Sequence, residues 1–337
     1  MKCLARVFIV LTALIAAGAP AAFAQTTASA TSPQAPSTGA PQSTFKSGTE
    51  LVALNVTVTD QGQNYVAGLL ETDFAVFEDG VKQDVSFFAA NQVPIDLILL
   101  MDTSASMVDK MPLAREAALG FLRKLREEDR GAIVSFNDGV KVLQGLTADR
   151  AALELALTGL RPAGATALHN AIYVSLREFG RTAKQAGEVR RQAIAVFSDG
   201  DDTASLIAFE DVLEQARRSG VGVYTISLQS PSAIARRGAA RRYFSQSDYA
   251  MKTIAQETGA QAFFPERIQE LPGVYGRIAA ELGAQYSLAY APKNARKDGR
   301  FRRVVVQILS RPDARPRTRA GYFAEILRAP LAALGVR

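Results

Sequence analysis

Between residues 94 and 282, short apolar runs alternate with amphipathic helical stretches, and this alternation leaves few folds open to the chain. The runs are Ile95–Met101, Ala132–Phe136, Ala193–Phe197 and Val221–Leu228. The helical stretches are Leu113–Glu127, Arg150–Leu157, Ala167–Phe179, Ile207–Arg218, Ala250–Glu257 and Arg267–Leu282, with Leu119, Leu122 and Leu125 on neighbouring faces of the first. A run that is apolar throughout, without a polar residue at every second position, belongs to a strand buried on both faces. Strands of that kind, separated by helices, build a mostly parallel sheet covered on both sides. The expected fold is therefore α/β, with a doubly wound, mostly parallel sheet. The run Val140–Leu146 follows Asn137-Asp138-Gly139, and Asp-Gly favours a tight reversal, so it reads as a hairpin edge strand.

The flanks have a different pattern. In residues 50–90, Leu54, Val56 and Val58 alternate with Asn55, Thr57 and Thr59, as in a half-buried strand. Phe74, Val76, Val85 and Phe87 continue that pattern around the turn Glu78-Asp79-Gly80. Strand patterns return over 284–323 with Tyr286, Leu288 and Tyr290, then Val304, Val306 and Ile308. Neither zone makes a sheet with a core of its own, and the economical reading pairs them into one small β domain built from both ends of the chain. The expected boundaries are 50–92 and 283–323 for the two parts of that β domain, 93–282 for the α/β domain, and 324–337 for a tail.

Residues 1–24 have the layout of a secretory signal peptide: Lys2 and Arg6, an apolar core over Val7–Ala17, and the small-residue site Ala22-Phe23-Ala24. The apolar run is shorter than the roughly 20 residues that a membrane span needs. Residues 25–49 are rich in Thr, Ser, Ala, Gln and Pro, with Lys46 as the only charge. Too little apolar surface is available there to offset the entropy of ordering, so a disordered linker is expected. An exported protein, periplasmic or extracellular, with no transmembrane segment after cleavage follows from these two segments. Cleavage removes Cys3, the sole cysteine, and leaves 37 basic against 33 acidic residues, a net charge of +4.

One Cys and one His in 337 residues exclude thiol catalysis, disulfide scaffolds and zinc or iron–sulfur sites built on Cys or His. A metal ion here must be held by oxygen, which points to Mg²⁺, Mn²⁺ or Ca²⁺. Open α/β sheets bind ligands at the carboxyl ends of their strands, and the polar residues that follow the apolar runs are Asp102-Thr103-Ser104-Ala105-Ser106 and Ser198-Asp199-Gly200. A third loop, Gly164-Ala165-Thr166-Ala167-Leu168, lies between two helices. Asp102, Ser104, Ser106, Thr166 and Asp199 are two carboxylates and three hydroxyls, hard donors suited to Mg²⁺ or Mn²⁺. So few carboxylates leave a bound ion electron-poor, so that an acidic side chain of a partner can complete its shell. That is binding without chemistry on the partner.

These motifs, Asp-x-Ser-x-Ser at 102–106, Thr166 in Gly-Ala-Thr-Ala-Leu and Asp199 in Ser-Asp-Gly, resemble the metal-ion-dependent adhesion site of von Willebrand factor type A domains. The resemblance covers about residues 94–282. It implies that Ser104, Ser106 and Thr166 contact the metal directly or through water, and that Asp102 and Asp199 act largely through water. The segments Asp73–Gly80 and Arg319-Ala320-Gly321-Tyr322-Phe323 resemble a bacterial group of exported proteins with such domains.

Enzyme signatures are missing: there is no Gly-x-Ser-x-Gly elbow, phosphate-binding loop or Gly-x-Gly-x-x-Gly. A Ser-His-Asp arrangement from Ser104 or Ser106, His169 and Asp199 exists on paper, but His169 near a helix start is expected to pack or cap, and metal-assisted hydrolysis lacks a placed base. No catalytic residue is expected. Asp201 and Asp202 are read as acids complementing a helix dipole. Basic residues concentrate in Lys293–Arg319, ten against Asp298 and Asp313, and again at Arg236, Arg237, Arg241 and Arg242. In an exported protein such patches face an anionic envelope surface rather than nucleic acid. The reading is thus a metal-dependent protein-binding module whose ligand presents Asp or Glu. Its alternatives are an anionic-surface binder with a vestigial metal site and, further off, a hydrolase.

Overall fold

The computed structural model describes residues 51–90, 93–183, 190–199, 201–228 and 245–324. The expected signal peptide, the linker, the second basic cluster and nearly all of the tail lie outside them. The described residues begin with four strands, β1 (Val52–Thr59), β2 (Phe74–Glu78), β3 (Val81–Gln83) and β4 (Val85–Ala90). The α/β part follows: β5 (Ile95–Asp102), α1 (Met111–Leu122), β6 (Arg130–Phe136), β7 (Val140–Thr147), α2 (Arg150–Thr158) and α3 (Leu168–Ala183). It continues through β8 (Arg191–Ser198), α4 (Phe209–Ser219), β9 (Gly222–Ser227), α5 (Gln246–Glu257), β10 (Ala262–Phe263) and α6 (Leu271–Ala284). Four strands close the described chain: β11 (Tyr286–Tyr290), β12 (Phe301–Ile308), β13 (Arg315–Arg317) and β14 (Gly321–Phe323).

All eight residues of β5 are buried, because β5 lies inside the six-stranded sheet β10-β9-β8-β5-β6-β7 with helices on both faces. Leu97, Leu99 and Met101 pack with Phe121 of α1, Leu153 and Leu157 of α2, and Tyr275 and Ile278 of α6. Ile98 and Leu100 point to the other face, where they meet Ile172 and Leu176 of α3, Val212 of α4 and Ile254 of α5. The side-chain period of two along a strand thus divides one apolar run between two cores. Five strands are parallel. The expected edge strand β7 is the exception, antiparallel to β6. From β5 the chain goes first to β6 and later to β8 on the opposite side, so strand order reverses at β5 and opens a crevice at its carboxyl end.

The flanking strands of the two chain ends pair with each other. β1 lies antiparallel to β11 and β13, and β2 to β12. Two four-stranded sheets result, β13-β1-β11-β4 and β14-β12-β2-β3. Their inward residues, among them Leu54, Val56, Phe74, Val76, Tyr286, Leu288 and Val306, form a third core, with the Phe74 and Tyr286 rings 5.1 Å apart. The turn at Asp79-Gly80 is tighter than expected. Both residues have positive φ (47° and 82°), as a two-residue hairpin requires, and β2 turns directly into β3. Val85 and Phe87 therefore do not continue that hairpin but belong to β4, which joins β11 in the opposite sheet. Among the described residues no helix is long and apolar enough to cross a membrane.

The sandwich and the α/β layers form one compact unit. One join is the approach of residues 317–320 to the turn after α5: the Ala320 amide donates to the Glu257 carbonyl (3.1 Å), and Arg317 Nη1 donates to the Gly259 carbonyl (3.3 Å). Gly259 has φ +75°, and a Cβ there would lie 2.4 Å from the Thr318 carbonyl carbon. Gly259→Ala meets both a left-handed backbone and a backbone clash, and is expected to destabilise the protein by roughly 1–3 kcal/mol. Urea denaturation should register this as a lower midpoint, and an unchanged midpoint would mean that the approach is not close.

Candidate functional site

Asp102 ends the central strand and is fully excluded from solvent. A buried carboxylate needs hydrogen-bond donors, and two neighbouring segments supply them. Its Oδ1 accepts from the Ser104 amide (2.8 Å), which folds the loop back on itself as Asp does in turns. Its Oδ2 accepts from the Ser198 hydroxyl at the end of β8 (2.6 Å). Burial raises the Asp102 carboxyl above the ordinary carboxylate range and nearby Asp199 pushes the same way, while the bonds from Ser198 and Ser104 oppose them.

Outward from this carboxylate runs a line of oxygens. The Ser104 and Ser106 hydroxyls are 3.0 Å apart, and the Ser106 hydroxyl donates to Asp199 Oδ1 (2.7 Å). A short helical turn over Ala105–Met107 brings the two serines together, with Met107 buried beneath as its anchor. The other Asp199 oxygen is paired with the Lys110 ammonium. Lys110 lies four residues after Ser106, one helical turn on, and that spacing is the only signal in the sequence that could have marked it.

The loop with Thr166 is held at the same end through the backbone. The Ala105 amide donates to the Gly164 carbonyl (3.0 Å), the Ala163 amide to the Thr103 carbonyl (2.7 Å) and the Ala167 amide to the Asn137 carbonyl (2.8 Å). Gly164 has φ +79°, and a Cβ there would fall on the Asp138 carboxylate, whose Oδ1 accepts from the Ala165 amide (2.8 Å). Thr166 itself is buried; its amide donates to the Thr203 hydroxyl (3.1 Å). Asp102, Ser104, Ser106 and Asp199 are thus joined side chain to side chain or through the loop amide, whereas Thr166 is tied in by its main chain.

His169 does not enter this line. Its Nδ1 lies 3.2 Å from Asp202 Oδ2 and its ring packs beside Phe209, while Ser106 bonds to Asp199 with no imidazole between them. Asp202 does serve a helix terminus, but that of α3 rather than of the helix after it, since its Oδ1 accepts from the Leu168 amide (2.8 Å). Within the Lys293–Arg319 stretch, Arg296, Lys297, Arg300, Arg303, Arg311 and Arg315 are exposed, whereas other basic residues are paired. Arg302 is buried against Asp298 (2.8 Å), Arg317 pairs with buried Glu281 (2.6 Å) and Lys293 with Asp84 (3.0 Å).

A cluster of three or more His, Cys, Asp or Glu able to hold a metal is absent among the described residues. The donors gathered at this end are mainly hydroxyls, with two carboxylates behind and beside them. Such a set suits a hard cation that keeps part of its hydration, and the Lys110 ammonium against Asp199 shows that the position draws positive charge.

Known proteins match along the same part of the chain. The family model for the von Willebrand factor type A domain matches residues 97–201. A UPF0353 protein of Mycolicibacterium paratuberculosis is 27% identical over 202 residues, covering 56% of this chain and 60% of the relative. A UPF0353 protein of Mycobacterium tuberculosis is 26% identical over 201 residues, with the same coverage. The chain therefore spans about 60% of the length of these curated relatives. Among solved structures, a von Willebrand factor type A protein from Catenulispora acidiphila superposes with a TM-score of 0.45 at 17% identity, over 71% of this chain and 52% of that one. The sequence match runs from β5 to Asp199, within the doubly wound sheet, and it is residues 97–201 that match the von Willebrand factor type A domain.

Proposed function

We propose that the chain is an exported, metal-dependent protein-binding module that acts at the carboxyl end of β5. The observation that carries this reading is the hydrogen-bonded line Ser104–Ser106–Asp199 in front of buried Asp102. Ser104, Ser106 and Thr166 offer hydroxyl oxygens there, and Asp102 and Asp199 offer carboxylates, a set suited to Mg²⁺ or Mn²⁺. A bound Mg²⁺ or Mn²⁺ would supply a hard, electron-poor centre for a carboxylate of the partner, as its preference for about six oxygen ligands implies. Buried Asp102 orients the Ser104 amide and so shapes the loop. Exposed Ser106 stands where a partner's Asp or Glu approaches. His169 is engaged by Asp202 and stands apart from the serines, which removes the Ser-His-Asp arrangement from this reading. The N-terminal signal-like segment supports export.

Metal at a hundred times its dissociation constant stabilises a fold by about 2.7 kcal/mol, here about 5 °C in Tm. The purified protein should melt that much higher in millimolar Mg²⁺ or Mn²⁺ than in EDTA, and Asp102→Ala should abolish the difference. Identical melting of the wild type in metal and in EDTA would remove the metal from this reading. Capture of a partner that survives EDTA would remove its role in binding.

Lys110 competes for Asp199 on this account. Lys110→Met should lower the Mg²⁺ concentration needed for half-maximal stabilisation by about tenfold, equivalent to about 1.4 kcal/mol of relieved competition, measured by titration calorimetry. A higher or unchanged requirement would count against that competition.

A further inference from the structure

We propose that the outer face of the sheet β14-β12-β2-β3 binds an anionic lipid bilayer, with apolar side chains entering the interface and neighbouring cations meeting the headgroups. This surface is separate from the metal-dependent reading, since it belongs to the sandwich and the serine line belongs to the end of β5.

An antiparallel sheet with one face in water normally carries polar side chains on that face. β2 and β12 depart from this rule. The run Phe74-Ala75-Val76-Phe77 is apolar at every position, as is Val304-Val305-Val306, and Ile308 is followed by Leu309. Phe74, Val76, Val304, Val306 and Ile308 are buried in the third core. The residues between them point the other way, because successive side chains along a strand alternate in direction. There Val305 is 41% and Leu309 56% exposed. The register sets Val305 opposite Phe77, and Phe77 opposite Lys82, so strands from both ends of the chain make one row. Arg303, two residues before Val305 and on the same face, is exposed, as is Lys82. Arg296 and Arg300, on the loop that leads into β12, are exposed as well.

The acids of these strands are turned to other tasks. Glu78 points between the two sheets, where its Oε2 accepts from the Tyr290 and Tyr322 hydroxyls (2.8 and 2.9 Å). Asp79, after β2, accepts from the Arg303 amide (2.9 Å). Asp73, before β2, accepts from the Leu70 amide (2.7 Å), and Asp298 pairs with Arg302. Among the described residues neither Lys82 nor Arg303 has an ion-pair partner. Val305 and Leu309 project from the sheet rather than line a groove, so a yielding apolar medium fits them without matching hollows. Binding at a membrane surface grows with the apolar area inserted and with attraction to anionic lipids. Lys and Arg suit its boundary, since their alkyl stems stay with apolar neighbours while the charge reaches the headgroups.

The experiment uses the purified full chain in EDTA, which leaves the metal out of the comparison. The protein is sedimented with vesicles of phosphatidylcholine alone and of phosphatidylcholine containing about a quarter phosphatidylglycerol. The expected result is co-sedimentation with the anionic vesicles only, weakened by roughly tenfold or more in the double variant Lys82→Gln/Arg303→Gln, with an unchanged Tm showing that the variant is folded. The chain has no Trp, so Leu309→Trp introduces a single fluorophore whose emission should move to the blue on the anionic vesicles. Val142→Trp, at a position 54% exposed on the edge strand of the other sheet, should show no such shift. No co-sedimentation, equal binding to both kinds of vesicle, full binding by the double variant, or a Leu309→Trp emission that stays put on bound vesicles would each overturn the proposal. Binding of soluble polyglutamate without binding of vesicles would overturn it too, and would assign the face to an acidic protein.

Discussion

The carboxylate of Asp102, held wholly out of water at the end of the central strand, sets conditions that the top of the molecule has to meet. A charge in that position is tolerated only with donors on both oxygens. Supplying them draws the Ser104 amide inward and brings the end of β8, with Ser198, alongside. Once those two segments are fixed, Ser106 is carried to Asp199, and the loop before α3 fits against both through main-chain bonds. The donor set is thus a consequence of one buried acid being satisfied.

The same physics appears at the other end of the sheet with the sign reversed. There the buried charge is the Arg191 guanidinium, and the Val93 and Leu282 carbonyls satisfy only some of its donors. Between the two ends, the sheet core is apolar and divided by β5 into two nearly independent clusters. This stiff layer holds both polar ends in place, since close-packed interiors resist the small shifts that would relax either one.

The sandwich shows how far local pattern can be trusted. Alternation in 52–58, in 286–290 and in 304–308 marks strands correctly, because one face of each meets the common core. The same alternation across 74–87 does not reveal that the chain changes sheet after Gln83. That change depends on β11 offering an edge to β4, a partner some 200 residues away, and no local signal encodes it. Lys110 and Asp202 were hidden for a similar reason. Each acts on a segment distant in sequence, Lys110 on Asp199 and Asp202 on the start of α3.

By itself the sequence determined the α/β class, the central buried strands and the edge hairpin, and it marked five oxygen-bearing residues as candidates for a site. Those follow from periodicity and from which polar residues come directly after apolar runs, and both are local properties of the chain. Only the tertiary structure decided which of those residues touch, that Lys110 shares Asp199, that His169 is engaged elsewhere, and that β2 and β12 set Phe77 beside Val305 on one outer face. Contacts of that kind join segments tens to hundreds of residues apart. They are set by how the layers pack, and packing is a property of the whole fold.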